Sequence, residues 1–384
     1  MVMPAADHPT VLHYVGYDTD VGGIVSVVRA LAGAGRFTCV LGMNRGSVQA
    51  RTPPLEVLEL PRISGEKISP ATAVRAFVVA RAVRKWLRDD QSRIFHGHSR
   101  AGLLVARWLA SWGERRVAAT VHVFGRQRWF YRSAAARLGG RLCWLGPAMK
   151  HYYGLPVGGW EGCLPDCISQ STVQPMRSPE IQSPVTFGCV GGVVPVKRWE
   201  LVIEALAQVP AATPMRVVHA GAEEVSAAGR AYANRLRRRV EELALASRFE
   251  WRGPVEEMAE FYAGVDCLIV PSSCEASSVA ALEAIAAGVP VLASAASGTR
   301  DLVDRCSGGW LFEPDTAETL GGRMTALARG PELANWRRNE AGLEAYTATV
   351  AAAAHLALYR TVLTTAPSAP PPGDRGVSPA CNVP

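Results

Sequence analysis

The chain reads as an α/β protein made of two successive βα-repeat halves, and three observations lead there. Short β-branched runs alternate with longer amphipathic segments from the first residues onward, the pattern of βα units that feed parallel sheets. The length, 384 residues, exceeds what one core of about 100–200 residues organises. Between the halves, 169–184 (SQSTVQPMRSPEIQSP) holds three prolines and four serines with no apolar period, the signature of a polar linker.

Taken in order, the first half offers strands near Thr10–Val15 (TVLHYV), Phe37–Leu41 (FTCVL), Arg93–His96 (RIFH), Val117–His122 (VAATVH) and Arg141–Leu145 (RLCWL), each short and apolar. Helices near Gly23–Ala32, Pro70–Asp89, Ala101–Ser111 and Arg128–Leu138 fill the intervals with longer segments of mixed polarity. The second half repeats the scheme, with strands near Val185–Gly191, Met215–Ala220, Phe249–Arg252, Cys267–Val270 and Pro290–Ala293. Its helices lie near Lys197–Gln208, Ala227–Ala246, Val255–Ala263 and Ser278–Ala287, and a last apolar helix follows near Glu344–Leu363. The tail Thr364–Pro384, rich in Pro, Ala and Ser, is expected to be disordered. The division is therefore a Rossmann-like domain over 1–168, a linker over 169–184, a second Rossmann-like domain over 185–345, a helix over 346–363 and a tail over 364–384.

A hydrophobic content of 48% with 20% charged residues excludes a fibrous or largely disordered chain. The net charge of +7 admits nucleic acid, an anionic membrane or a phosphorylated small molecule. Residues 1–180 hold 23 Lys and Arg against 12 Asp and Glu, whereas 181–384 hold 18 against 22, so the positive charge belongs to the first domain. Of the 41 basic residues only Lys67, Lys85, Lys150 and Lys197 are lysine. Nine cysteines with no C-x-x-C pair and no zinc framework read as reduced thiols of a cytosolic protein. Met1–Pro9 lacks the basic end and apolar stretch of a secretion signal. The longest uncharged stretch, Ala284–Thr299, is broken by Gly288 and Pro290 and falls short of the roughly 20 residues of a membrane span.

The most specific stretch is Pro271–Pro290 (PSSCEASSVAALEAIAAGVP), which follows an apolar strand and carries Glu275 and Glu283. The pattern puts Glu275 in a loop, makes Ser277 or Ser278 the N-cap of a helix, and sets Glu283 on that helix. The free N–H groups of a helix N-terminus suit a phosphate. The two carboxylates can take sugar and ribose hydroxyls in charge-assisted hydrogen bonds of about 1.5–3 kcal/mol each; the bland alternative is a solvated loop acid and a surface helix residue. Gly22 and Gly23, after the first strand, let backbone amides approach an anion, or simply make a tight turn. Neither Gly22-Gly23 nor Gly188–Gly192 satisfies G-x-G-x-x-G, which counts against a nicotinamide enzyme.

His96, His98 and His122 fall at strand ends, where an open α/β sheet lines its ligand crevice, although a buried hydrogen-bonded histidine is the alternative for each. His96 and His98 have metal-like spacing, but no carboxylate pair accompanies them. Gly125–Arg141 packs five arginines among Trp129, Phe130 and Tyr131. It reads as an amphipathic helix for an anionic membrane surface or a lipid-phosphate acceptor, or as a solvated arginine face, better than as a nucleic-acid site. Arg235–Arg239 reads as a solvated helix face.

The run from Gly191 to Phe312 resembles the donor-binding domain of retaining glycosyltransferase family 4, whose fold is GT-B, two Rossmann-like domains facing across a cleft. Glu275 and Glu283 match the family's E-x7-E element, followed by Glu283–Ser294 (EAIAAGVPVLAS), Gly298–Val303 (GTRDLV) and Gly309–Asp315 (GWLFEPD). The resemblance implies that Lys197 meets the donor diphosphate, with Arg198, Ser277, Ser278, Val279 and Glu283 also at the donor. It further implies that Gly22 and Gly23 face the donor phosphates and that His122 reaches the sugar or acceptor. One departure stands out: Gly192 occupies the place of the arginine in the family's G-R pair, and Arg198 or an arginine of the first domain is the candidate substitute.

On that resemblance the expected activity is retaining transfer of a sugar from a nucleotide-diphosphate donor to a hydroxyl acceptor, with Lys197, Glu275 and His122 catalytic and no metal or other cofactor. The first domain then holds a saccharide or lipid-linked acceptor of bacterial surface polysaccharide, lipopolysaccharide or glycolipid synthesis. The expected setting is cytoplasmic, with peripheral contact to the inner face of an anionic membrane and no nucleic acid. A GT-B-type nucleotide-sugar epimerase and a degenerate, non-catalytic transferase kept as a partner protein are the alternatives.

Overall fold

A computed structural model describes residues 8–49, 54–63, 68–156, 158–176, 183–295 and 298–364. The first domain runs β1 (Thr10–Tyr14), α1 (Gly23–Gly33), β2 (Thr38–Asn44), β3 (Glu56–Leu60), α2 (Pro70–Arg88), β4 (Arg93–Gly97), α3 (Arg100–Ser111), β5 (Val117–Val121), α4 (Arg128–Leu138), β6 (Leu142–Trp144) and α5 (Pro147–Tyr152). Its sheet is wholly parallel in the order β3-β2-β1-β4-β5-β6. Successive residues of β1 point to opposite faces. Val11 packs towards α1, whereas Leu12 and Tyr14 join the core under α2, α3 and α4. Burial on both faces is why these strands read as unbroken apolar runs.

The second domain runs β7 (Val185–Val190), α6 (Trp199–Gln208), β8 (Met215–Ala220), α7 (Ala227–Glu242), β9 (Phe249–Gly253), α8 (Met258–Ala263), β10 (Cys267–Val270), α9 (Val279–Ala286), β11 (Val291–Ser294), α10 (Thr299–Cys306), β12 (Gly309–Phe312), α11 (Ala317–Arg329), α12 (Glu332–Asn335) and α13 (Glu340–Glu344). Its parallel sheet has the matching order β12-β11-β10-β7-β8-β9. In each sheet the strand order reverses at one place, between β1 and β4 and between β7 and β10. Loops leaving neighbouring strands there run in opposite directions and open a crevice.

Three differences from the sequence reading are informative. Strands β3 and β12 are additional; each is the edge strand of its sheet and only partly buried, so neither carries the apolar run that marks the inner strands. The polar stretch after residue 168 does not hang between domains: Gln174 N–H donates to Ala286 O at 2.9 Å and Arg338 donates to Gln174 O at 2.7 Å, which straps it onto the second domain. Its residues 177–182 lie outside the described residues, as does the tail from 365 onward. Finally, the terminal helix α14 (Ala348–Thr364) leaves the second domain and packs on the first, where Tyr359 and Val362 join the core of Val11, Val28 and Leu31.

Candidate active site

Both crevices face the same cleft. Gly22, at φ 129°, adopts a backbone conformation that a side chain disfavours, and it caps α1. Gly23 opens the helix so close to the other domain that a Cβ there would lie 3.2 Å from Val279 Cγ2. The N-termini of α1 and α9 therefore meet across the cleft, and both bring positive dipole ends to it. Ser278, not Ser277, caps α9: its hydroxyl accepts from Ala281 N–H at 3.2 Å. Ala148 N–H donates to Asp301 at 3.1 Å and ties α5 to α10 at the same interface.

On the second-domain side, the loops leaving β7 and β10 bring Lys197 and Glu275 together. Lys197 Nζ lies 2.9 and 2.8 Å from the two carboxylate oxygens of Glu275, across 78 residues of sequence. Both are half-buried, with side chains 21% and 16% exposed, so the pair is ordered and still reachable from the cleft. Glu283 lies one helix turn further in, 3.1 Å from the buried Tyr262 hydroxyl, whose ionisation burial and the Glu283 charge both suppress. Arg198 is taken up elsewhere. It ion-pairs with Asp315 beyond β12 and also donates to Asp315 O at 3.2 Å, so it is not held ready as the stand-in for the missing arginine. Gly192 leaves open space: a Cβ there would meet nothing nearer than Ala222 O at 3.6 Å.

On the first-domain side, a cavity of about 600 Å³ opens at the β1–β4 switch, lined among others by Tyr17, Arg62, Arg75, His98, Arg100 and His122. This size suits a sugar-sized or larger ligand. Arg62 pairs with Asp18, and Arg100 Nε donates to the Tyr131 hydroxyl at 3.4 Å. His122 does not present a free ring nitrogen to this cavity. Its Nε2 lies 3.0 Å from His98 Nδ1, and its Nδ1 lies 3.4 Å from Asp166 Oδ1, an electrostatic contact rather than a made hydrogen bond.

The histidines form a string. His13 Nδ1 lies 2.9 Å from His98 Nε2 with ring centres 5.2 Å apart and planes within 22°, an end-to-end arrangement. A neutral imidazole has one donor and one acceptor, so the carboxylate of Asp166 aligns every tautomer. His122 Nδ1–H faces Asp166, His98 Nδ1–H donates to His122, His13 Nδ1–H donates to His98, and the Cys39 thiol, 3.6 Å from His13 Nε2, closes the inner end. Burial disfavours the charged form of the two inner rings, lowering His13 to about 3 and His98 well below its ordinary value. His96 belongs to a side branch, 2.7 Å from the Tyr359 hydroxyl and 2.9 Å from Thr120 Oγ1. The nitrogens of His13, His96 and His98 lie close enough together to suggest a metal triad. The same ring nitrogens also lie within hydrogen-bond distance of one another and of Tyr359 and Thr120. Sequence reasoning singled out His122 but not Asp166, because only the fold brings residue 166 beside the end of β5.

Residues 174–342 match the family model described as glycosyl transferases group 1. The match covers less than half of the chain. The matched region contains Lys197, Glu275 and Glu283, while the first domain and α14 lie outside it. A D-inositol 3-phosphate glycosyltransferase of Geodermatophilus obscurus is 33% identical over 169 residues, which cover 42% of this chain and 37% of that protein. The chain thus matches little more than a third of the length of that curated relative. Among solved structures, sucrose-phosphate synthase from Thermosynechococcus elongatus superposes with a TM-score of 0.71 at 19% identity, over 92% of this chain and 99% of that one. The Anabaena protein HepE in complex with UDP and glucose gives 0.65 at 16% identity, over 93% and 97%. The matched region is thus the second half of a GT-B fold.

Proposed function

We propose that the protein is a retaining glycosyltransferase that moves a hexose from a nucleoside-diphosphate sugar to a hydroxyl acceptor. The observation that carries this reading is the Lys197–Glu275 pair, held at the switch point of the second sheet beside the open N-terminus of α9. A half-buried ammonium and free helix amides are suited to a diphosphate leaving group, and their charge acts most strongly where water is scarce. HepE, which shares the fold, binds UDP and glucose, and that favours the same donor class here.

In this reading the diphosphate takes over Lys197, and the released Glu275 carboxylate accepts hydrogen bonds from the sugar hydroxyls. Glu283 takes the ribose. The acceptor hydroxyl, seated in the first-domain cavity, attacks the anomeric carbon on the face from which the diphosphate leaves. The C–O bond to phosphate breaks as the new C–O bond forms, and the acceptor proton passes to the departing phosphate oxygen. The configuration is retained, and neither a protein nucleophile nor a metal is required. His122 then serves as the anchored end of the histidine string that shapes the cavity wall. We place the reaction at the cytoplasmic face of a membrane, in surface polysaccharide, lipopolysaccharide or glycolipid synthesis. None of the helices described is long and apolar enough to cross that membrane.

The test is a panel of nucleoside-diphosphate sugars, UDP-glucose first, read by thermal stabilisation and by release of nucleoside diphosphate. Lys197→Ala and Glu275→Ala should each lower turnover by about 10²-fold or more, the scale of losing one preorganised charge. Near-normal transfer by both variants would remove the assigned roles. Isomerised donor formed without any acceptor would instead point to an epimerase.

A further inference from the structure

Helices α2, α3 and α4 together carry ten Arg and Lys residues, five, two and three respectively, and not one Asp or Glu; Arg75 and Arg100 line the cleft cavity, and the other eight lie away from it. The solvent side of α2 is a single stripe, in which exposed Val74 and Val78 are followed by Arg81, Lys85 and Arg88 at helical spacing.

Two concavities lie next to one another along this face. One is an apolar slot of about 500 Å³ between the start of α2, α3 and α4, lined by Ile68, Pro70, Leu104, Trp108, Trp129 and Phe130. Trp129 stands 66% exposed at it. The other is a recess of about 560 Å³ formed by Phe77, Arg81, Arg84, Lys85, Arg88 and Trp112. Four cations converge there, and none of them forms an ion pair with a described residue. The wall between slot and recess is one aromatic cluster, with Phe77 ring-centred 5.3 Å from Trp108 and 5.4 Å from Trp112. A second pair of cations stands by the slot: Arg107 lies over the Phe130 ring at 5.0 Å, and burial followed by the nearby charge of Arg137 pushes its guanidinium down from its ordinary value.

An apolar slot beside a pocket of unpaired cations is complementary to a molecule with an anionic head and a hydrocarbon chain. We infer that this face is a docking site for an anionic phospholipid bilayer, with a lipid phosphate in the Arg81–Arg88 recess and an acyl chain against Trp129 in the slot. The charge count selects this occupant: eight cations on helices that carry no acidic residue attract an anionic surface over their extent, and the aromatic edge suits the headgroup boundary. Helix α2, about 28 Å long at 1.5 Å per residue, then lies in the headgroup plane. The inference goes with the membrane setting proposed above and locates it on named residues.

The experiment is co-sedimentation of the full chain with vesicles of phosphatidylcholine alone and of phosphatidylcholine mixed with phosphatidylglycerol. Binding to the mixed vesicles should exceed that to the neutral ones by at least about tenfold and should fall as salt rises. The double variant Arg81→Glu/Lys85→Glu alters only exposed, unpaired positions; it should melt like the parent and lose at least about tenfold in affinity for the mixed vesicles. Trp129→Ala should keep low-salt binding and lose retention at high salt. Equal binding to both vesicles, or parent-like binding by the double variant, overturns the inference. So does a folded parent protein that ignores the mixed vesicles. UDP-dependent thermal stabilisation, measured on the same samples, separates the two readings: if it persists without vesicle binding, the docking face fails alone, and if vesicles bind without it, the donor assignment fails alone.

Discussion

Gly192 is the residue where this chain departs most plainly from the pattern of the family it resembles, and the structure shows what the departure leaves. No atom crowds the position, its carbonyl still accepts from Trp199 Nε1 at 3.0 Å, and Arg198 next along is committed to Asp315. Restoring the side chain with Gly192→Arg therefore places a guanidinium near Lys197 without displacing backbone. UDP affinity should rise by about tenfold, the effect of one added charge-assisted hydrogen bond, as measured by isothermal titration. Unchanged or weakened binding would show that the diphosphate lies elsewhere. The Lys197–Glu275 pair could be suspected from the sequence, since each residue follows a strand end; that Nζ bridges both carboxylate oxygens could not, because the contact depends on β7 and β10 being neighbours. The same holds for Asp166, which no local pattern distinguishes.

At the scale of elements, the inner strands and nine of the helices were legible because burial on one or both faces imposes a period on the residues themselves, whereas α5 and α10 to α13 were not, four of them being eight residues or shorter. The edge strands escaped for the converse reason. Glu56 and Glu59 interrupt β3, and Gly309, at φ 138°, opens a half-exposed β12. Helix α14 was legible as a helix but not as a part of the first domain. Its anchor is Tyr359, fully buried, whose hydroxyl is hydrogen-bonded to His96 Nδ1 at 2.7 Å while His96 Nε2 faces Thr120 Oγ1 at 2.9 Å. Tyr359→Phe should cost about 1–3 kcal/mol by leaving a buried ring nitrogen unpaired, and Tyr359→Ala about 3–5 kcal/mol through the cavity. Urea unfolding gives both values. Amide-exchange protection should fall in β1 and β4 and hold in the second sheet; equal loss in both domains would contradict the latch.

For the molecule as a whole, the histidine cluster sets an acid limit. Burial lowers His13 to about 3 and His355 to about 4, and lowers His96 and His98 well below the ordinary histidine value. The unfolded chain therefore binds more protons than the folded one below a pH of about 6.5, so stability is present above that value and is lost as pH falls. Each such histidine adds a slope of about 1.4 kcal/mol per pH unit. Asp301, raised by burial, acts in the opposite sense, but it is one group against four. The urea midpoint should accordingly drop steeply between pH 7 and pH 5, and a flat profile would mean that the string is solvated. The charge division likewise belongs to this scale: the net +7 is the sum of a basic first domain and a mildly acidic second one. By itself the sequence determined the α/β class, the two halves, the loops that carry Lys197 and Glu275, and the domain that holds the positive charge, since all of these follow from local period and composition. Only the tertiary structure decided that Lys197 meets Glu275, that Arg198 goes to Asp315, that four strands and loops align a histidine string, and that the last helix returns to the first domain. These contacts follow from strand order, and an alternation of strands and helices does not encode which strands become neighbours.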